Sequence, residues 1–187
     1  MPGSSLMKFR DVVIPASGEQ FSVPQGIQRI DHLSTHGWQL RYRGETKLFS
    51  DPPPSQGGSA KALSLATAEL LRRIARLPAP SGLQRVPNAS KTSDMPVGIS
   101  WPLLRTRPGS NTRYCCLLVS IPRFGDKPRR ASIYIGTETT YTAQRFEQAV
   151  ARAVEMREKA VQTYERAATR AKRAEGKALK LALASAG

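Results

Sequence analysis

Large apolar and polar residues alternate most clearly over residues 38–43 (Trp-Gln-Leu-Arg-Tyr-Arg), which is typical of a half-buried strand. Residues 26–30 before this stretch and residues 47–50 after it predict two further short strands, with a turn-prone segment at residues 31–37. Because Gly44-Glu45 lies between the last two runs, it predicts a hairpin turn. The pattern therefore indicates a small antiparallel sheet.

A helix is predicted over residues 60–77, after a loop at residues 51–59 that is rich in Pro, Gly and Ser. The apolar side chains of this segment recur at helical spacing: Leu63, Ala66, Leu70, Leu71 and Ile74. Three strands followed by a helix define a first domain at residues 26–77. Residues 1–25 show little periodicity, and they predict a partly ordered lead-in.

The same order of elements repeats after residues 78–97, a segment with four prolines that predicts a linker. Gly98-Ile99-Ser100-Trp101 predicts the first strand of a second domain at residues 98–160. Residues 113–121 give the strongest strand pattern in the chain, and residues 131–135 predict the returning strand.

Thr142 is the predicted N-cap of a long helix. This helix extends into a tail at residues 161–187, in which Gly176 is expected to interrupt it. The basic tail has two interpretations, an extra phosphate clamp or a solvent-exposed helix end that frays. The predicted fold class is α+β, with two three-stranded antiparallel sheets each packed on one helix, arranged as a divergent tandem repeat.

Charge changes this picture, because the 187 residues include 29 Lys and Arg against 14 Asp and Glu, a net charge of +15. Basic side chains outnumber acidic ones by 10 to 6 in residues 1–77, by 9 to 3 in residues 78–141 and by 10 to 5 in residues 142–187. The excess is therefore not confined to one tail. A basic protein of this kind is expected to bind polyanions.

Catalytic and metal chemistry find little support in the sequence. His32 and His36 are four residues apart, but their segment does not predict a helix and no further ligand is evident. Cys115 and Cys116 are adjacent in a predicted strand, so their side chains point to opposite faces and are expected to be core thiols. No Gly-rich phosphate loop and no nucleophile with a neighbouring base is present. We expect a protein that is not an enzyme, with no cofactor and no metal.

The location of the protein is also constrained by composition. No run of 18 apolar residues is present, and the N-terminus has Lys8, Arg10 and Asp11 where a signal peptide needs apolar residues. We therefore expect an intracellular protein without membrane partners. It would be cytoplasmic and nucleoid-associated in a prokaryote, or nuclear in a eukaryote.

Two segments of the chain resemble the Apetala-two/ethylene-response-factor DNA-binding domain, of which phage integrases and homing endonucleases carry related modules. The resemblance rests on Gly-Ile, an aromatic-led second strand, a third strand ending Ile-Gly-Thr and an Ala-rich helix. The second copy matches at Gly98-Ile99 and at residues 114–121, 132–137 and 142–154, and the first at Gly26-Ile27 and at residues 38–43, 48–51 and 62–73.

This resemblance implies that a three-stranded sheet lies in the DNA major groove while the helix supports its other face. The first copy then offers outward candidates on its three strands: Gln28 or Arg29, then Gln39, Arg41 and Arg43, then Lys47 or, in the other register, Leu48. Arginine suits this role because its planar fork binds guanine or phosphate through two hydrogen bonds. The same alternation would also suit an ordinary solvent-exposed strand face.

The second copy departs from the pattern, because residues 113–121 are apolar at both alternating sets of positions. Its DNA contacts would have to come from flanking residues: Arg105, Arg107, Arg113, Arg123, Arg129, Arg130, Ser132 and Tyr134. Alternatively, this face packs against protein.

The expected function is double-stranded DNA binding, as a transcriptional regulator or a nucleoid-associated, architectural factor of phage-like type. Two alternatives stay open. One is a protein-interaction or assembly module that uses the apolar second sheet, and the other is an RNA-binding protein that stacks bases on Trp38, Tyr42 and Tyr134. A homo-oligomer formed through the second sheet or the long C-terminal helix is a further hypothesis.

Overall fold

The computed structural model describes residues 7–90, 93–106, 108–109 and 111–185. Its strands are β1 (Phe9–Val13), β2 (Gln20–Pro24), β3 (Ile27–His32), β4 (Thr35–Tyr42), β5 (Glu45–Ser50), β6 (Leu103–Thr106), β7 (Arg113–Ile121) and β8 (Arg129–Thr137). Helix α1 spans Gly58–Arg76, after a short 3-10 turn at Pro54–Gln56, and helix α2 spans Ala143–Ser185.

The strands form three antiparallel sheets: a hairpin of β1 and β2, a first sheet in the order β3-β4-β5 and a second sheet in the order β6-β7-β8. The predicted α+β class with two three-stranded sheets is confirmed, and the hairpin is an additional element. Within the described residues, no helix is long and apolar enough to cross a membrane. The chain divides into two compact units, residues 1–80 with 169–187 and residues 81–168.

The core of the first unit lies between α1 and one face of the first sheet. Helix α1 buries Ala62, Ala66, Leu70 and Ile74, which recur every fourth residue and therefore form one face of the helix. The first sheet contributes Ile27, Trp38, Leu40 and Tyr42, whose alternation along each strand places them on one side. The opposite side of this sheet therefore faces away from the helix.

The N-terminal region differs from the predicted lead-in at residues 1–25, because β1 and β2 form a regular hairpin. Met7, Ile14 and Val23 are buried in the core of the first unit, and the Phe21 ring lies edge-on to Trp38 with centroids 5.5 Å apart. Both strands are only five residues long and have no clear alternation of their own. Contacts with the first sheet, distant in sequence, supply the stabilisation that the local pattern lacks.

The second unit packs β7 and β8 against the first part of α2. Cys115, Leu117, Val119, Ile133 and Ile135 face the helix, which contributes Ala149 and Ala153. As predicted, Thr142 caps α2, because its hydroxyl accepts a hydrogen bond from the Arg145 amide at 3.2 Å. Met95, in the predicted linker, is buried in this same core.

The first strand of the second sheet begins later than predicted. Gly98-Ile99-Ser100-Trp101 does not form a regular strand, although Ile99 makes an isolated bridge to Val119. The regular strand β6 begins at Leu103, immediately after Pro102. Because proline has no N–H to donate, it interrupts the ladder between the two segments.

Helix α2 continues through Gly176, contrary to the predicted interruption. A Cβ atom at this position would lie 2.8 Å from Cγ2 of Ile74, so only glycine allows the helix to approach α1 this closely. Leu179, one turn further on, is buried in the core of the first unit. The part of the predicted basic tail around Gly176 and Leu179 is therefore packed in that unit.

Candidate nucleic-acid interface

The face of the first sheet that points away from α1 is mostly polar, with Ile30 and Leu48 as its two large apolar side chains. Residues directly opposite each other on neighbouring antiparallel strands share a face, so the observed register defines its members. They are Gln28, Ile30 and His32 on β3, Thr35, Gly37, Gln39 and Arg41 on β4, and Thr46, Leu48 and Ser50 on β5. We call this set the outer face of the first sheet. It contains no carboxylate, and all of it lies in the described part of the chain.

Hydrogen-bonding groups are concentrated around Arg41 on this outer face. Nε of Arg41 donates to Oε1 of Gln39 at 2.7 Å, and Arg41 is exposed. Gln28 lies opposite Gln39, and Thr46 lies opposite Arg41. Glutamine can pair with adenine and arginine with guanine through two hydrogen bonds each. The outer face thus brings the predicted Gln39 and Arg41 together with Gln28.

Arg29 does not belong to this face, so its predicted outward position is wrong. It lies opposite Trp38 on the helix side, with its guanidinium carbon 5.2 Å from the Trp38 ring centroid. The Arg29 side chain is 10% exposed, and its Nη2 lies 2.7 Å from Asp31 and 2.6 Å from Asp51. Its hydrogen bond holds the pKa of the Asp31 carboxyl below its ordinary value. Arg29 is a structural residue.

Arg43 and Lys47 also lie off the outer face. Arg43 occupies the two-residue turn between β4 and β5 with φ 52°, followed by Gly44 with φ 84°, the geometry of a type I′ hairpin turn. Lys47 lies opposite Leu40 on the other side of the sheet, and its Nζ lies 5.0 Å from the Phe49 ring centroid. Leu48 takes the outward position instead. Both basic side chains are exposed at the rim of the sheet.

The corresponding face of the second sheet is mixed in character. Its members are Leu103 and Arg105 on β6, Tyr114, Cys116, Leu118 and Ser120 on β7, and Arg130, Ser132 and Tyr134 on β8. The rings of Tyr114 and Tyr134 lie 6.2 Å apart, and Tyr134 is 55% exposed. Four of the predicted residues, Arg105, Arg130, Ser132 and Tyr134, thus share one surface.

The remaining predicted residues of the second copy lie elsewhere. Arg113 forms an ion pair with Glu138 at 2.7 Å, and Arg123 forms one with Asp126 at 2.5 Å. Arg129 lies opposite Ile121, on the side of the sheet that faces α2. Arg107 lies outside the described residues. Two of these arginines therefore already have a carboxylate partner.

Two basic residues of the hairpin, Lys8 and Arg10, were absent from the predicted site. They line a cleft of about 370 Å³ together with Gly26, Gln28 and Arg41. The sequence gives no clear signal for them, because Lys8 precedes β1 and that strand has no regular alternation of apolar and polar residues.

The thiols and histidines lack the geometry of a reactive or metal-binding site. Cys115 and Cys116 are both buried without a disulfide, and burial raises the pKa of the Cys115 thiol, with a smaller effect from Cys116. Nδ1 of His36 lies 3.0 Å from Asp31. Within the described ranges, no three His, Cys, Asp or Glu side chains come close enough together to hold a metal ion.

Comparison with known proteins gives no relative: no family model matches the chain, and neither a curated protein nor a solved structure is found to be similar to it.

Proposed function

We propose that this chain is a double-stranded DNA-binding protein, acting as a transcriptional regulator or a nucleoid-associated, architectural factor rather than as an enzyme. The observation that carries the proposal is the outer face of the first sheet. It presents Gln28, Gln39 and Arg41 as neighbours on two adjacent strands, without a carboxylate among them.

The dimensions of this face suit the major groove. Strands lie about 4.8 Å apart, so the outer strands of a three-stranded sheet are about 10 Å apart. The major groove is about 12 Å wide and exposes a distinct pattern of donors and acceptors for every base pair. Side chains of the central strand β4 would reach the base edges. The rim residues Arg43 and Lys47 would lie near the phosphates.

The packing behind this face supports the same role. Trp38 and Leu40 alternate with Gln39 and Arg41 along β4, and both apolar side chains are fully buried beneath α1. A strand anchored on one side holds its outward side chains in a fixed spacing. Recognition of base edges requires such fixed spacing, because a hydrogen-bond donor that is out of position no longer distinguishes one base from another.

The test begins with selection of bound sequences from random duplex DNA, followed by affinity measurements from 50 to 200 mM salt. We expect a steep loss of affinity with salt, because binding releases counterions from DNA. Arg41→Ala should weaken binding to the selected sequence by about 1–3 kcal/mol. It should weaken binding to random duplex DNA by less. Arg76→Ala, at an exposed position on α1, is the matched control and should leave both affinities nearly unchanged.

Two results would count against the proposal. A slope of log K against log salt near zero would reject DNA binding. Equal losses on selected and random DNA for Arg41→Ala would mean that Arg41 contacts only phosphate. Preferential binding of single-stranded RNA in competition would instead favour RNA binding, with Tyr134 as the stacking residue, because Trp38 and Tyr42 are buried and not available to bases.

A second candidate function, assembly with protein through the second sheet, is favoured by the apolar part of that sheet's outward face. Leu103 and Tyr134 are exposed there, and Leu118 is half-buried between Cys116 and Ser120. Leu118→Lys should dissociate an oligomer by placing a charge in the interface, as measured by sedimentation velocity. If the variant changed neither the oligomeric state nor the DNA affinity, this candidate would be rejected.

A further inference from the structure

The N-terminal hairpin and the start of β3 enclose a cleft with unusual charge. Its lining includes Lys8, Arg10, Gly26, Gln28 and Arg41, and none of its lining residues is acidic. Three cations around one cleft of about 370 Å³ repel one another unless an anion lies between them. The charge of the cleft is therefore complementary to a negatively charged group.

We infer that this cleft, which we call the hairpin cleft, binds a phosphate of the DNA backbone next to the outer face of the first sheet. This inference rests on the proposed function, and it adds a contact for which neither the sequence prediction nor the outer face itself accounts. The hairpin thereby gains a role in positioning the sheet on the duplex.

Arg10 is held in the geometry that such a contact needs. Its Nη2 donates to the carbonyl oxygen of Ile27 at 3.0 Å, which fixes the guanidinium against the edge of β3. A guanidinium carries five N–H donors, so one bond to Ile27 orients the group without using its capacity for an anion. Preorganised arginine binds phosphate oxygens more tightly than a free side chain, because less rotamer entropy is lost.

The backbone holds the two sides of the hairpin cleft together. The amide of Gln25 donates to the carbonyl of Lys8 at 2.9 Å, and the amide of Arg41 donates to the carbonyl of Gly26 at 2.8 Å. Gly26 has φ +106°, a conformation that other residues rarely adopt, so glycine fixes the backbone where the hairpin leads into β3. The cleft is thus part of the folded unit.

Arg41 and Gln28 connect the hairpin cleft to the outer face, since both residues belong to both surfaces. An anion in the cleft would therefore lie beside the side chains proposed to read bases. In duplex DNA, backbone phosphates border the groove in which the base edges lie. This adjacency favours a DNA phosphate over the carboxylate of a protein partner.

The inference is tested with the full chain carrying Lys8→Gln and Arg10→Gln together. We expect equal losses of affinity for selected and random duplex DNA, because phosphates carry no sequence information. Removing two phosphate contacts makes the negative slope of log K against log salt shallower by about 1.8. The ratio of the affinities at 50 and 200 mM salt should then fall by about tenfold.

The matched control is Lys61→Gln with Arg76→Gln, which removes the same charge from exposed positions on α1. This helix packs on the other side of the sheet, so the control should retain the wild-type slope. Circular dichroism establishes that each double variant is folded. If the Arg10 change unfolds the protein, Lys8→Gln alone should still make the negative slope shallower by about 0.9.

The outcomes separate this inference from the proposed function. A folded cleft variant that binds duplex DNA with the wild-type salt slope overturns the phosphate site and leaves the outer face intact. A larger loss on selected than on random DNA also overturns it, since Lys8 and Arg10 would then read bases. If the wild-type chain does not bind duplex DNA, the proposed function and the inference both fail.

Discussion

Replacing Trp38 by alanine is expected to lower the free energy of unfolding of the first unit by about 3–5 kcal/mol. The indole is fully buried between α1 and the first sheet, and it contacts both Phe21 of the hairpin and Arg29 of β3. Its Nε1 donates to the carbonyl of Ser59, near the start of α1, at 2.9 Å. Alanine leaves a cavity and removes the donor to this carbonyl, and the two effects add.

Trp101→Ala is the matched control, because the chain has two tryptophans and Trp101 is 58% exposed. Its ring lies 6.4 Å from Phe146, and we expect a loss of about 1 kcal/mol or less. Urea unfolding followed by circular dichroism measures both variants, and Trp38 fluorescence reports on the first unit in the control. Similar losses for the two variants would contradict the central position of Trp38.

The pattern of apolar and polar residues was sufficient to predict the strands and helices whose formation depends on residues close in sequence. The alternation of residues 38–43, the apolar run of β7 and the four-residue spacing of α1 all appear in the structure close to their predicted bounds. Thr142 as N-cap and the turn next to Gly44 follow from side-chain chemistry at single positions. These features depend on neighbours within a few residues, so they can be predicted from the local sequence.

Features that depend on distant partners were not predictable in this way. The hairpin of β1 and β2 is too short to show a pattern, and its buried residues meet a core built from residues 27–74. Gly176 resembles a helix breaker until Ile74 is placed against it. The choice between Gln28 and Arg29 failed for a related reason, because a polar–apolar pattern counts both residues as outward. The pairing with Trp38 and the ion pair with Asp51, which lies after β5, identify Arg29 as an inward residue.

Arg29 joins several parts of the first unit through a chain of hydrogen bonds. Its Nη1 donates to Oδ1 of Asp51 at 2.9 Å, and Oδ2 of the same carboxylate accepts a hydrogen bond from the Ser59 hydroxyl at 2.9 Å. The carbonyl of Ser59 in turn accepts the Trp38 indole N–H. The network therefore connects β3, the loop after β5, and α1 behind the central strand.

Replacing Arg29 by methionine is expected to cost about 3 kcal/mol in the free energy of unfolding, because it leaves Asp31 and Asp51 without their shared cation. Arg41→Met is the matched variant on the opposite side of the same sheet, and there we expect a change of about 0.5 kcal/mol or less. Urea unfolding at pH 7 measures both. Equal losses would contradict the inward position of Arg29.

Acid provides an independent check on the ion pair. The hydrogen bond from Arg29 lowers the pKa of Asp31, so the stabilisation is present above the ordinary value of 3.8 and is lost as the pH falls below it. The difference in stability between wild type and Arg29→Met should therefore shrink as the pH decreases from 5 to about 2.

On the proposed function, the two arginines differ in the opposite way in DNA binding: Arg41 contributes more to DNA affinity than Arg29, although it contributes less to stability. Arg41→Met then weakens binding to the selected sequence and leaves the stability nearly unchanged. Arg29→Met, measured under conditions in which the protein is still folded, retains the preference for that sequence.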